Sequence, residues 1–179
     1  LTNDGTLNLT PNSADRDLVL NTTLRNNGTT NYSLADDHFI LSGSGNFENA
    51  GTFEHIKGSG NDNLHLNNFT FNNLSGGVYR FHGGGDIEIS GNGVFNNAGT
   101  LERTATAGGD SVIFDFGTGA NGTFNNLAGG VVRSLGGILH IAAQKGNTSD
   151  TGSQWIADGG DLRIGGIWEG TLNGSSSNG

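Results

Sequence analysis

Three arginines and a histidine recur at one phase of a repeating sequence, and cations in a row are what an extended polyanion needs. Eight positions after the start of a recurring phrase stand Leu9, Tyr32, His55 and Arg103. In two copies an extra turn residue moves the counterpart one place on, to Arg80 and Arg133. A stripe of guanidiniums suits carboxylate or sulfate groups on a polysaccharide, because each planar fork matches two oxygens. Cations about 5 Å apart in water repel by nearly 1 kcal/mol. The row therefore calls for an anionic ligand or for interleaved acceptors such as Glu102. The plainer reading is that the arginine stems cover Val78, Leu101 and Val131 while their heads reach water.

A second row mixes imidazoles with carboxylates: Ile40, His65, Glu88, Asp115, His140 and Arg163. These side-chain types serve metals and acid–base chemistry. One ligand per repeat spreads them along a line, whereas a metal needs convergence, so a solvated charge ladder is the expectation. Glu88 and Asp115 form its only acidic pair on adjacent repeats. Asp15-Arg16-Asp17 and Asp36-Asp37 are the dense acidic clusters. Calcium is the one ion their oxygens suit, and solvated turns are the simpler assignment. No other cofactor is implied. There is no cysteine, no phosphate-binding G-x-x-x-x-G-K-[ST] run and no legible serine nucleophile. Catalysis is not expected.

The elements that hold these side chains follow from a repeat. The phrases LTNDGTL, LRNNGTT, FENAGTF, FNNLSGGV, FNNAGTL and FNNLAGGV open at Leu1, Leu24, Phe47, Phe71, Phe95 and Phe124, at intervals of 23, 23, 24, 24 and 29 residues. A degenerate seventh copy opens at Trp155, 31 residues on, with Ala157 in place of asparagine. Two positions into every full copy stands Asn3, Asn26, Asn49, Asn73, Asn97 or Asn126. Between phrases lie apolar-x-apolar segments, from Leu18-Val19-Leu20 through Phe114-Asp115-Phe116 to Leu162-Arg163-Ile164. Their alternation marks half-buried strands. A unit of about 23 residues cannot bury its apolar face alone, but stacked units can. The spacing thus predicts an all-β, parallel β-helix of about seven coils, 23–31 residues each, over residues 1–172, with a polar tail at 173–179. Phe47, Phe71, Phe95 and Phe124 become one inward column, and the six asparagines become a hydrogen-bonded ladder.

Composition agrees. Thirty-three glycines and 24 asparagines in 179 residues disfavour helices. A net charge of −9 argues against nucleic acid as a partner, and no apolar run is long enough to span a bilayer. From Leu20, Leu41, Leu66, Ile89, Phe116 and Ile141 to the next opening residue the steps are 4, 6, 5, 6, 8 and 14. The longest segment, Ala142 to Gln154, is expected to project as a loop, and loops on rigid scaffolds carry recognition. Thr6, Thr29, Thr52 and Thr100 form a further row, interrupted at Gly76 and Gly129. It supports an ice-binding surface only thinly.

The F-x-N-A-G-T phrases, such as Phe95-Asn96-Asn97-Ala98-Gly99-Thr100-Leu101, resemble the repeats of large bacterial surface adhesins of filamentous-haemagglutinin and autotransporter-passenger type. The likeness spans roughly Leu1 to Leu172. It implies that the parallel β-helix is right-handed, and with it an extracellular or cell-surface location, a shaft-like role, and glycans or other surfaces as partners. The chain reads as a segment of a longer protein. A carbohydrate-binding or carbohydrate-cleaving β-helix is the rival expectation. Uncapped strand edges add a third, head-to-tail stacking into a filament.

Overall fold

The computed structural model describes residues 1–10, 16–33, 37–56, 62–104, 109–115, 121–143 and 146–176. Among them are 23 short strands and no helix. Each coil gives one strand to each of three sheets. Sheet I holds eight strands from Thr2–Asn3 to Trp168–Gly170, sheet II eight from Thr6–Leu9 to Gly174–Ser176, and sheet III seven from Arg16–Val19 to Asp161–Ile164. Neighbouring strands are parallel and come from successive coils. The described residues therefore form a parallel β-helix of seven three-stranded coils and two strands of an eighth, close to the number expected. Strand Gly174–Ser176 pairs with Trp155–Ala157, so part of the expected tail belongs to sheet II.

Like stacks on like in sheet I. Phe47, Phe71, Phe95 and Phe124 are in register and fully buried. Their rings lie face to face at 4.9, 5.0 and 5.6 Å. Phe53 and Tyr79 form a parallel stack in sheet II at 4.9 Å and present edges to the first column at about 5.5 Å. Burying one such ring is worth roughly 1.5–3 kcal/mol, and each aromatic pair adds about 0.5–1.5 kcal/mol. Leu64, Leu66, Ile87, Ile89, Ile113, Leu139 and Ile141 close the core from sheet III.

The asparagine ladder runs beside the phenylalanines. Each Nδ2 donates to the Oδ1 one coil further on: Asn3 to Asn26 at 2.7 Å, then Asn49, Asn73, Asn97 and Asn126 at 2.8, 2.8, 2.8 and 2.9 Å. The other amide hydrogen reaches a carbonyl where the next coil enters sheet II, as from Asn73 to Thr100 O at 3.0 Å. The side chain thereby satisfies the backbone at the bend from sheet I to sheet II, a place where buried polar groups would otherwise go unpaired. The glycine of the phrase is required by crowding. A Cβ on Gly51 would collide with the Gly28 carbonyl oxygen of the preceding coil.

Three expectations about register are corrected. In the Phe71 and Phe124 copies the turn holds two extra residues, not one. Val78 pairs with both Thr52 and Thr100, and Val131 with Thr100. The threonine row is accordingly interrupted by Val78 and Val131, while Gly76 and Gly129 sit in the turns with positive φ. Second, the seventh coil opens at Asn147, not Trp155. Asn125 pairs with Thr148 and Asn126 with Ser149, so a polar residue takes the phenylalanine's place and hides the repeat. Asn147 is buried; its Oδ1 accepts from Phe124 N at 3.0 Å and its Nδ2 donates to Ala143 O at 2.5 Å. Trp155 stands beside Val132 in sheet II and packs against Phe124 and Trp168. The segment expected to project over 142–154 therefore contains a strand, Asn147–Ser149, with Asn147, Ser149 and Ser153 buried. Third, strand Ser111–Asp115 turns Ile113 inward and Phe114 outward, the opposite phase to that expected. Phe116 lies outside the described residues.

Candidate functional site

Among the described residues the densest cluster of charge lies on sheet II, and the corrected register divides the expected basic stripe between two faces. Arg80 pairs with Glu54 on one side and Glu102 on the other, and Glu102 pairs with Arg133. These four point outward. His55 and Arg103 flank Phe81 in the neighbouring, inward column. Arg80, Arg103, Arg133 and His55 thus form no continuous row, because an odd shift in strand register exchanges the two faces.

The outward column alternates in sign. Arg80 Nη1 reaches Glu54 Oε1 at 2.7 Å and its Nε reaches Glu102 Oε1 at 2.5 Å. Arg133 clasps Glu102 Oε2 through Nε at 2.7 Å and also through Nη2. His82 Nε2 lies 2.6 Å from Glu54 Oε2. Burial alone would raise the Glu102 carboxyl, whose side chain is 3% exposed, but hydrogen bonds from Arg80 and Arg133 outweigh it and hold it below the usual carboxylate range. Burial works against the Arg80 guanidinium as well; its bond to Glu102 and the charge of Glu54 more than compensate and raise it. Each arginine has an acidic neighbour within the sheet, which uses the forks that an acidic polysaccharide would need.

The inward pair fills a corner. Arg103 is 1% exposed and donates to the carbonyls of Gly136, of Gly109 at 2.7 Å and of Thr104 at 3.1 Å. Burial lowers its pKa, partly countered by Asp110. A Cβ on Gly137, where φ is +64°, would strike the guanidinium, so the glycine opens space for it. His55 Nδ1 is 2.8 Å from the Tyr79 hydroxyl, and its ring meets Tyr32 edge-on at 4.6 Å. Burial drives the Tyr79 hydroxyl well above its ordinary pKa, with Tyr32 adding to the effect. These groups are buried and brace the interior.

The imidazole and carboxylate row is also divided. Ile40, His65 and Glu88 stack, but Phe114 stands beside Glu88, and Asp115 pairs with Ile89. Val112 precedes His140 and Arg163. The expected Glu88–Asp115 pair is absent from that row. Glu88 is buried and takes a hydrogen bond from Asn63 Nδ2 at 2.5 Å, and His65 Nε2 meets Ser90 Oγ at 2.6 Å. Of the acidic clusters considered for calcium, Asp15 and Asp36 lie outside the described residues. Among the described residues no three His, Asp or Glu side chains are placed to hold a metal.

Two features escaped the sequence. Glu54 and His82 complete the charge ladder, and aligning Val78 with Thr100 would have found them. An outer ladder runs on sheet I through Asn72, Asn96, Asn125 and Thr148, with bonds of 2.9, 2.8 and 3.0 Å. Its signal was the first asparagine of the F-N-N phrases.

Compared with family models, curated proteins and solved structures, the chain matches none. No helix among the described residues is long and apolar enough to cross a membrane.

Proposed function

We propose that the chain is a non-catalytic, extracellular shaft segment of a bacterial surface adhesin. The observation that carries this reading is the pair of continuous interior columns, amide on amide through six consecutive coils and ring on ring through four of them. Interior polar groups spent on lateral support suit a part whose duty is mechanical. The outer charges favour the same reading over glycan capture, since Arg80 and Arg133 are neutralised within the sheet.

A glycan array tests it. The shaft reading expects no saturable retention on carboxylated or sulfated glycans. Salt-sensitive retention abolished by R80A and R133A would instead make the chain a glycan-binding module.

A further inference from the structure

The corner leading from sheet III into sheet I repeats a different pattern from the ladders. Asn21, Ser44, Asn68, Asn92 and Asn121 occupy equivalent places there, each three residues before Leu24, Phe47, Phe71, Phe95 or Phe124. Two residues on, the strand-entry column reads Thr23, Asn46, Thr70, Val94 and Thr123, the last four in register. An asparagine followed at the second position by threonine is the acceptor sequence for N-linked sugar. Asn46 and Val94 withhold that hydroxyl on the intervening coils. Acceptors therefore fall at Asn21, Asn68 and Asn121, on every second coil of one edge, about 10 Å apart.

All three asparagines are exposed. Asn68 adopts the left-handed conformation, φ +50°, which asparagine tolerates at a bend. Its Oδ1 accepts from Asn92 N at 3.0 Å, and Asn21 Oδ1 accepts from Ser44 N at 3.4 Å. The carbonyl oxygen is thus turned toward the backbone of the next coil. Asn68 Nδ2, the atom that is modified, donates to Oδ1 of its exposed neighbour Asn67 at 3.0 Å, a surface bond that water can replace. The sequence contains nine such acceptor triplets. Asn73 and Asn147 head two of them and are buried, their Nδ2 atoms committed to Asn97 and Thr100 and to Ala143 and Ile167.

We infer that the edge bearing Asn21, Asn68 and Asn121 is an N-glycosylation ridge that displays sugars on alternate coils. In the step, Nδ2 attacks the anomeric carbon of a sugar diphosphate donor. The C–N bond forms, the anomeric C–O bond breaks, the diphosphate leaves with the electron pair, and the amide proton passes to the base of the transferase. This inference stands independently of the shaft reading.

The folded chain would be treated with a soluble transferase specific for N-x-S/T and its nucleoside-diphosphate hexose, and in parallel with a membrane transferase and its lipid-diphosphate donor. Intact mass and peptide mapping give the readout. With at least one donor, Asn21, Asn68 and Asn121 should gain sugar while Asn73 and Asn147 stay bare. T23V, T70V and T123V should each lose one increment. V94T should gain a new one, at Asn92. Unfolded chain, in which Asn73 and Asn147 become acceptors too, shows that the transferases are competent. Sugar appearing only on the unfolded chain, or on native Asn73 as readily as on Asn68, would overturn the inference.

Discussion

Asn73 spends both amide hydrogens across the coil boundary, one on Asn97 Oδ1 and one on Thr100 O, while its own Oδ1 receives Asn49. Replacing it leaves neighbouring buried groups unsatisfied, at roughly 1–3 kcal/mol each. N73A should lower unfolding stability in urea by about 3 kcal/mol. N96A, in the half-exposed outer ladder, should cost under about 1 kcal/mol. Glu102 makes the pH dependence specific. Its folded carboxyl titrates below the ordinary value of 4.5, so its stabilisation is complete above that value and is lost as pH falls through the lower, folded one. E102Q should destabilise by about 2 kcal/mol at neutral pH, since two partly exposed arginines lose the carboxylate charge and one of its two accepting oxygens. Between neutral pH and the acid region its stability should also fall less steeply than that of the wild type. A parallel fall in the two proteins would remove Glu102 from the account.

At the scale of the element, the turn decides which face a side chain joins. Ser75 and Gly76 are the two residues that FNNLSGGV has beyond FNNAGTL, and both are exposed. Deleting both should leave a folded chain with native near-ultraviolet circular dichroism, because an even change preserves the inward phase of Tyr79 and Phe81. Deleting Gly76 alone should abolish that signal by turning both rings to water. Strand identity and the phenylalanine and asparagine columns were legible in the sequence because each residue recurs at nearly constant intervals. The charge site was not. Its reading depended on a turn length, and counting one extra residue instead of two moved Arg80 and Arg133 into the column of His55 and Arg103. The seventh coil was missed for a related reason. Asn147 keeps the backbone path of the repeat while abandoning its hydrophobic marker, and Trp155 supplies the lost ring from another sheet.

At the scale of the whole molecule, nearly every stabilising contact runs between adjacent coils, so stability is close to a sum over interfaces. Rise per coil is then the property on which the ladders, the alternating charges and the alternate-coil ridge all depend. The chain has no cysteine, which permits clean placement of paired spin labels. The outward positions Thr6, Val131 and Gln154 lie in one column of sheet II, five and six coil steps apart. Pulsed electron paramagnetic resonance on T6C/V131C and T6C/Q154C should give distances centred at about 24 and 29 Å, a gain of one strand spacing for the extra step. Distances that fail to grow from the first pair to the second, or broad distributions typical of an unstacked chain, would contradict the coil-upon-coil architecture.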